Sequence, residues 1–263
     1  PTQAGLLTSP GIFAFHFGVD ISAPDGTPVY AVRSGTATVF GGTNVQVDSG
    51  HGFKAQYWHI VPAVKPGQRV TARKTVLGHV QKGYEHVHLT QLENGRPVNP
   101  LAPGRMGPYE DTTAPQVSEI SFRAGRSNAE IIPEALTGTV VPVVRAADTT
   151  ALPAPGIWRD LPVAPALLTW HVERANGGRV VIRKQVAFDV RERIPSNDLF
   201  WSVYARGSRQ NMTTFGKQRA WRTPGTYLYR LTRTPLDTRK LANGIYRLVA
   251  TASDIRGNES SLA

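Results

Sequence analysis

The sequence predicts an all-β chain in two domains, on three observations. Apolar residues recur in short bursts of period two, rich in Val, Thr and aromatics: "PVYAVR", "TATVF", "NVQV", "FKAQYWHI", "TVLGHV" and "HVHLTQL" between residues 28 and 92. The bursts are separated by Gly, Asn, Asp or Pro, and no long segment carries a helical repeat. "NPLAPGRMGPYEDTTAPQ", from Asn99 to Gln116, breaks the pattern with prolines at 100, 103, 108 and 115 and little to bury. That segment reads as a linker and divides the chain into residues 1–110 and 111–263.

Within the first domain, Gly41-Gly42, Ser49-Gly50 and Pro66-Gly67 read as hairpin turns, so neighbouring bursts pair antiparallel. The second domain offers seven further bursts: "PQVSEISF", "GTVVPVVRAAD", "ALLTWHVER", "RVVIRKQVAF", "FWSVYA", "GTYLYRLT" and "GIYRLVATASD". Seven strands is the number expected of an immunoglobulin-like β-sandwich. "LANGIYRLVATASDIRGN" resembles the last hairpin of bacterial Ig-like or fibronectin-like modules. No repeat links the halves.

Of the 263 residues, 40% are hydrophobic and 19% charged, as in a globular protein. No apolar run is long enough to span a bilayer as a helix. The opening "PTQAGLL" has no basic or apolar leader features, which fits a cytosolic chain or an exported one whose leader has been removed. With no cysteine, disulfides and thiolate-bound metals are excluded, so any metal needs His, Asp or Glu. The net charge of +11 divides into +2 for residues 1–113 and +9 for the rest. Such a field attracts polyanions (nucleic acid, anionic lipid or acidic wall polymer) without choosing among them.

In "YEHVHLTQL", His86 and His88 are one residue apart on a strand, so both face one side about 6.5–7 Å apart. Either they are two polar residues on a solvated face, or they converge on a metal. "FAFHFGVDISAPDGTPVYAV" sets His16 four residues before Asp20; Gly18, Val19, Ile21 and Pro24 argue against a helix there, so the pair straddles an extended turn. His16, Asp20 and one of His86 and His88 would supply two imidazoles and a carboxylate, a donor set suited to catalytic zinc. His59 lies in the aromatic strand "QYWHI".

In this order the motifs resemble the lysostaphin-type (LytM-like) zinc endopeptidases, from about Gly11 to Leu101. The matching positions are His16-Phe-Gly-Val-Asp20, Pro24-Asp-Gly-Thr-Pro-Val29, Tyr57-Trp-His59-Ile60, His86-Val-His88 and Pro97-Val-Asn-Pro100. The resemblance implies a LytM-type antiparallel fold for the first domain. It implies one Zn2+ ion bound by His16, Asp20 and His88, with His59 and His86 beside the water that the metal activates. It further implies hydrolysis of peptide bonds in the stem or cross-bridge of bacterial peptidoglycan, in the periplasm, cell envelope or extracellular space. Two features depart from the family: Leu89-Thr90 follows the His-x-His where Phe-Glu is usual, and the preceding loop "VQKGYEHVH" is short.

Three rival readings stand beside this one. A catalytically silent LytM-type module would bind the wall or activate other hydrolases, but such relatives lose metal ligands that this chain keeps. A zinc endopeptidase acting on secreted proteins would leave peptidoglycan intact. Nucleic-acid binding is not expected, because the basic residues are scattered and no recognised motif is present; the basic second domain instead suits an anionic wall polymer. Tyr57 is expected in the core, Asn44 in a hairpin, and His51, His79 and His171 in structural or exposed positions. Trp158, Trp170, Trp201 and Trp221 are expected as core or groove aromatics.

Overall fold

A computed structural model describes residues 7–9, 12–106, 110–149, 154, 156–211 and 224–263. As expected, its regular secondary structure is almost wholly antiparallel strands. No described helix is long and apolar enough to cross a membrane. The largest sheet of the first half runs Arg96–Val98, His86–Glu93, Phe53–Trp58, Asn44–Asp48, Gly35–Phe40, Arg69–Val70. Val19–Ser22 joins it by pairing with the first half of His86–Glu93, on the edge that Arg96–Val98 occupies further along. A three-stranded sheet of Pro28–Tyr30, Val76–Val80 and Ile60–Pro62 lies beside it. Period-two alternation sends Val45, Val47, Ala55, Tyr57, Val87 and Leu89 to one buried face, where they form a core with Ile60 and Leu77.

That alternation also decides where the histidines go. Val87 and Leu89 point into the core, so His86, His88 and Thr90 share the opposite face of the strand. The register sets His88 directly across from Asp20 on one side and from Trp58 on the other.

The second half forms two antiparallel sheets around a second core. One holds Glu130–Ile131, Gln116–Ala124, Thr139–Ala147 and Leu228–Arg230, with Leu236–Asp237 on Thr139–Ala147. The other runs Val180–Asp189, Leu167–Arg174, Tyr246–Ser253, Glu259–Leu262. Val144 and Ala146 from the first sheet meet Leu168, Trp170, Ala250 and Ala252 from the second. The expected strand over "FWSVYA" is instead a helical turn, Phe200–Val203, following the 3-10 turn Asn197–Leu199. Its i, i+3 spacing buries Phe200 and Val203 together, which a strand would send to opposite faces. Trp158 and Trp170 are buried as expected, whereas Trp201 is 44% exposed; Trp221 lies outside the described residues.

The segment expected to have little to bury is instead docked. Asn99, Leu101, Ala102 and Asp111 are buried. Asn99 donates its backbone N–H to the Glu192 carbonyl (3.0 Å) and its side-chain Nδ2 to the Val190 carbonyl (2.8 Å). Arg105 reaches both Glu93 (3.1 Å) and Glu192 (3.0 Å). The halves are thus joined by satisfied polar contacts as well as by sequence.

Near this junction, carboxylate oxygens of Asp111, Asp148 and Asp254, all three residues buried, lie within 4.8 Å of one another. Burial first, then the charges of Asp111 and Asp254, push the Asp148 carboxyl up to about 7. A carboxyl whose folded value exceeds its unfolded one destabilises the fold as pH rises between the two. In metal-free buffer, Asp148→Asn is therefore expected to raise the melting temperature at pH 8 and to give a smaller gain at pH 5. Thermal unfolding at the two pH values checks this.

Candidate metal centre

Five polar side chains far apart in sequence meet where Val19–Ser22, His86–Glu93 and the end of Phe53–Trp58 come together. Asp20 Oδ1 lies 3.2 Å from His16 Nε2, 3.0 Å from His88 Nδ1 and 3.8 Å from His86 Nε2. The His16 and His88 rings are edge to face at 4.3 Å, and the His59 ring centroid is 5.0 Å from that of His86. His16 and His86 are buried, and the Asp20 and His88 side chains are 11% and 13% exposed.

Local sequence explains each placement. Gly18 is needed because a Cβ there would collide with the Leu89 carbonyl and the His88 ring; without it His16 could not come close to the strand. His59 follows the last residue of Phe53–Trp58 with φ +64°, a left-handed conformation uncommon outside glycine. The Asn44 side chain accepts the His59 N–H (3.3 Å) and the His59 carbonyl accepts the Gln81 N–H (2.9 Å), which holds the residue there. Asp25, in the Pro-Asp-Gly-Thr turn, accepts the N–H groups of Gly83 (2.7 Å) and Glu85 (3.0 Å) and fixes the loop leading to His86.

Tautomers follow from the partners. The Tyr84 carbonyl can only accept, so His86 Nδ1 carries the proton (2.6 Å) and Nε2 is left as an acceptor beside Asp20. Asp20 can only accept, so His88 Nδ1 donates to it (3.0 Å) and His88 Nε2 accepts from the Thr90 hydroxyl (2.9 Å); a metal taken up at Nδ1 would move that proton to Nε2, where Thr90 can accept it. Burial, then the neighbouring charge of His86, pushes His59 down to about 3, and burial with the charge of His16 lowers His88. Both rings are therefore neutral at pH 7. Burial would raise the Asp20 carboxyl, but the charges of His16 and His86, with hydrogen bonds from His16 and His88, outweigh it and hold Asp20 well below the usual carboxylate range.

His16, Asp20 and His88 are the members of this cluster whose donor atoms lie mutually within 4.8 Å. A tetrahedral zinc with bonds near 2.0–2.1 Å needs donor atoms about 3.3 Å apart. The separations of 3.2 and 3.0 Å from Asp20 fit that demand, as do the neutral His88 ring and the ionised Asp20 carboxylate.

The structure thus brings together all five residues singled out in the sequence. Tyr57 stands apart: its hydroxyl accepts the Val32 N–H (2.8 Å) within the first core. His51 and His79 are exposed, and His171 sits beside Glu173. Asn44, expected as a hairpin residue, also braces His59. Sequence reading missed Thr90, which it marked as a departure, and Tyr84, which stacks on His59 at 4.3 Å. It also missed the proximity of Trp158, whose ring meets His86 edge to face at 4.7 Å. The place of Thr90 was open to inference, since residues 86, 88 and 90 share a face; Trp158 carries no local signal.

Thr90→Val removes the hydroxyl that fixes His88 while keeping nearly the same volume. Zinc affinity is expected to fall roughly 10–100-fold with the fold intact. Competition against a chromogenic chelator measures this.

Residues 14–100 match the family model described as Peptidase family M23. Proteins named DD-carboxypeptidase/endopeptidase Mpg from Neisseria meningitidis serogroup B and Neisseria gonorrhoeae are each 30% identical over 137 residues, covering 49% of this chain and 31% of the relative. The match therefore spans less than a third of the length of these curated relatives. Among solved structures, the catalytic domain of the prophage-encoded M23 protein EnpA from Enterococcus faecalis is 27% identical; the match covers 37% of this chain and 85% of that one, with a TM-score of 0.30. The stretch matched by the Peptidase family M23 model contains His16, Asp20, His59, His86 and His88.

Proposed function

We propose that the protein is a zinc metalloendopeptidase that hydrolyses peptide bonds in the stem or cross-bridge of bacterial peptidoglycan. The observation that carries this reading is the convergence of His16, Asp20 and His88 donor atoms beside a second imidazole pair, His59 and His86. Endopeptidase is also part of the name of the Neisseria relatives. In this reading residues 1–110 form the LytM-type peptidase domain and residues 111–263 an immunoglobulin-like sandwich. The excess charge of the second part draws the enzyme to an anionic wall polymer, which suits an envelope or extracellular location.

His16, Asp20 and His88 hold the ion, and when bound it supplies Lewis-acid activation of water and of the scissile carbonyl. His86 accepts a proton at Nε2, because Nδ1–H is committed to the Tyr84 carbonyl. His86 Nε2 lies 3.8 Å from Asp20 Oδ1, at the edge of the ligand set. His59 stays neutral and offers a ring N–H to the oxygen on which negative charge develops. Tyr84, stacked flat on His59, limits that ring to one orientation. Proton transfer and oxyanion stabilisation thus fall to different histidines.

Purified protein is expected to clear a zymogram of bacterial cell wall, to lose activity with a chelator, and to regain it on zinc addition. Asp20→Asn should abolish both zinc binding and clearing. Mass spectrometry of the released muropeptides identifies the bond. Stoichiometric zinc binding without release of any muropeptide would sink the hydrolase reading and favour a wall-binding module.

A further inference from the structure

We propose that Asn197, in the second half of the chain, is a positioning residue for the His16 ligand, so that both halves build the metal centre. This rests on the metal-centre reading above. His16 lies in the segment 14–17, which belongs to no strand. In "FAFHF" His16 sits between Phe15 and Phe17. Both phenylalanines pack against the core of the second half, and Phe15 is only 3% exposed. Its ring centroid lies 5.4 Å from that of Phe200 and 5.7 Å from that of Tyr204. The Phe15 N–H donates to Asn197 Oδ1 at 2.9 Å. Asn197 opens the 3-10 turn that runs directly into the helical turn carrying Phe200. One short element thus supplies both the acceptor and the aromatic bed for the residue preceding His16.

His16 depends on such outside support more than its partners do. His86 is steered through Nδ1 by the Tyr84 carbonyl, and His88 through Nε2 by Thr90. His16 Nδ1 is buried with no hydrogen-bond partner among the described residues. A metal-binding imidazole is ordinarily fixed by a bond to its other nitrogen. Here the neighbouring residue is fixed instead, and the lever is the Asn197 carboxamide. Trp158, also from the second half, braces the opposite flank by its edge contact with His86.

The test compares the full-length wild-type chain with Asn197→Ala and with Asn197→Asp, which keeps an acceptor oxygen for the Phe15 amide. Zinc affinity is read by chelator competition, and hydrogen exchange is read at the Phe15 amide, with the Ala250 and Ala252 amides reporting that the second core stays folded. Asn197→Ala is expected to weaken zinc binding roughly tenfold and to speed exchange at Phe15, and Asn197→Asp to restore both. Unchanged affinity and exchange in Asn197→Ala, or an Asn197→Asp variant no better than Asn197→Ala, overturns the proposal. If the wild type binds zinc without cleaving peptidoglycan, the hydrolase reading fails while both readouts still decide the role of Asn197. If the wild type binds no zinc, the metal reading fails and overturns the proposal with it, and exchange then reports only whether Asn197 holds the Phe15 amide.

Discussion

The nearly buried Asp20 carboxylate and the imidazoles around it are the interaction on which the arrangement depends. A lone carboxylate there would shed its charge by binding a proton. His16, His86 and His88 prevent that, and a carboxylate kept ionised at neutral pH can serve as a metal ligand. The same interaction constrains the backbone. Asp20 has to lie directly across from His88, and a one-residue slip of Val19–Ser22 would send its side chain to the other face of the sheet. Leu89 and Val19, themselves paired and buried, resist that slip, so core packing and site geometry are enforced by one register.

The five-residue constellation was legible from the order of its motifs, which resembles that of the lysostaphin-type endopeptidases, whereas β-periodicity by itself reached only the His86 and His88 pair. Two histidines at i and i+2 share a face whatever the tertiary context, and the apolar residues between them identify the opposite face as buried. The roles of Asn44 and Asn197 were not legible, since each comes from a bond across 15 or 182 residues of chain that only the finished fold creates. The helical turn at Phe200–Val203 was misread for a related reason. Its aromatics look strand-like in isolation, but the core beside Phe15 accepts Phe200 and Val203 from one face. Tertiary packing there overrides the local β-preference.

Division of the chain at a proline-rich segment was a reasonable inference that understated how closely the two halves are joined. Prolines break regular pairing, but they do not stop a segment from packing. Asn99, buried at the end of the first half, bonds twice into the second, and Phe15 crosses in the other direction to lie in the second core. Phe15 precedes a site residue and Trp158 touches one, so the junction cannot move freely without disturbing the histidines. The second half is thereby more than a tethered passenger.

Two buried aspartates show how environment assigns chemistry to one side-chain type. Asp20 sits among imidazoles and keeps its charge; Asp148 sits among carboxylates and is driven toward protonation near neutral pH. Burial penalises the charged form of both, so the difference lies in the sign of the neighbouring charges. The same sign governs what happens on acidification. Protons that reach the imidazoles cost Asp20 its metal-binding partners, whereas a proton on Asp148 relieves repulsion at the junction. Acid therefore acts in opposite directions on the two clusters, competing for the donor atoms around Asp20 while easing the repulsion between carboxylates at the junction.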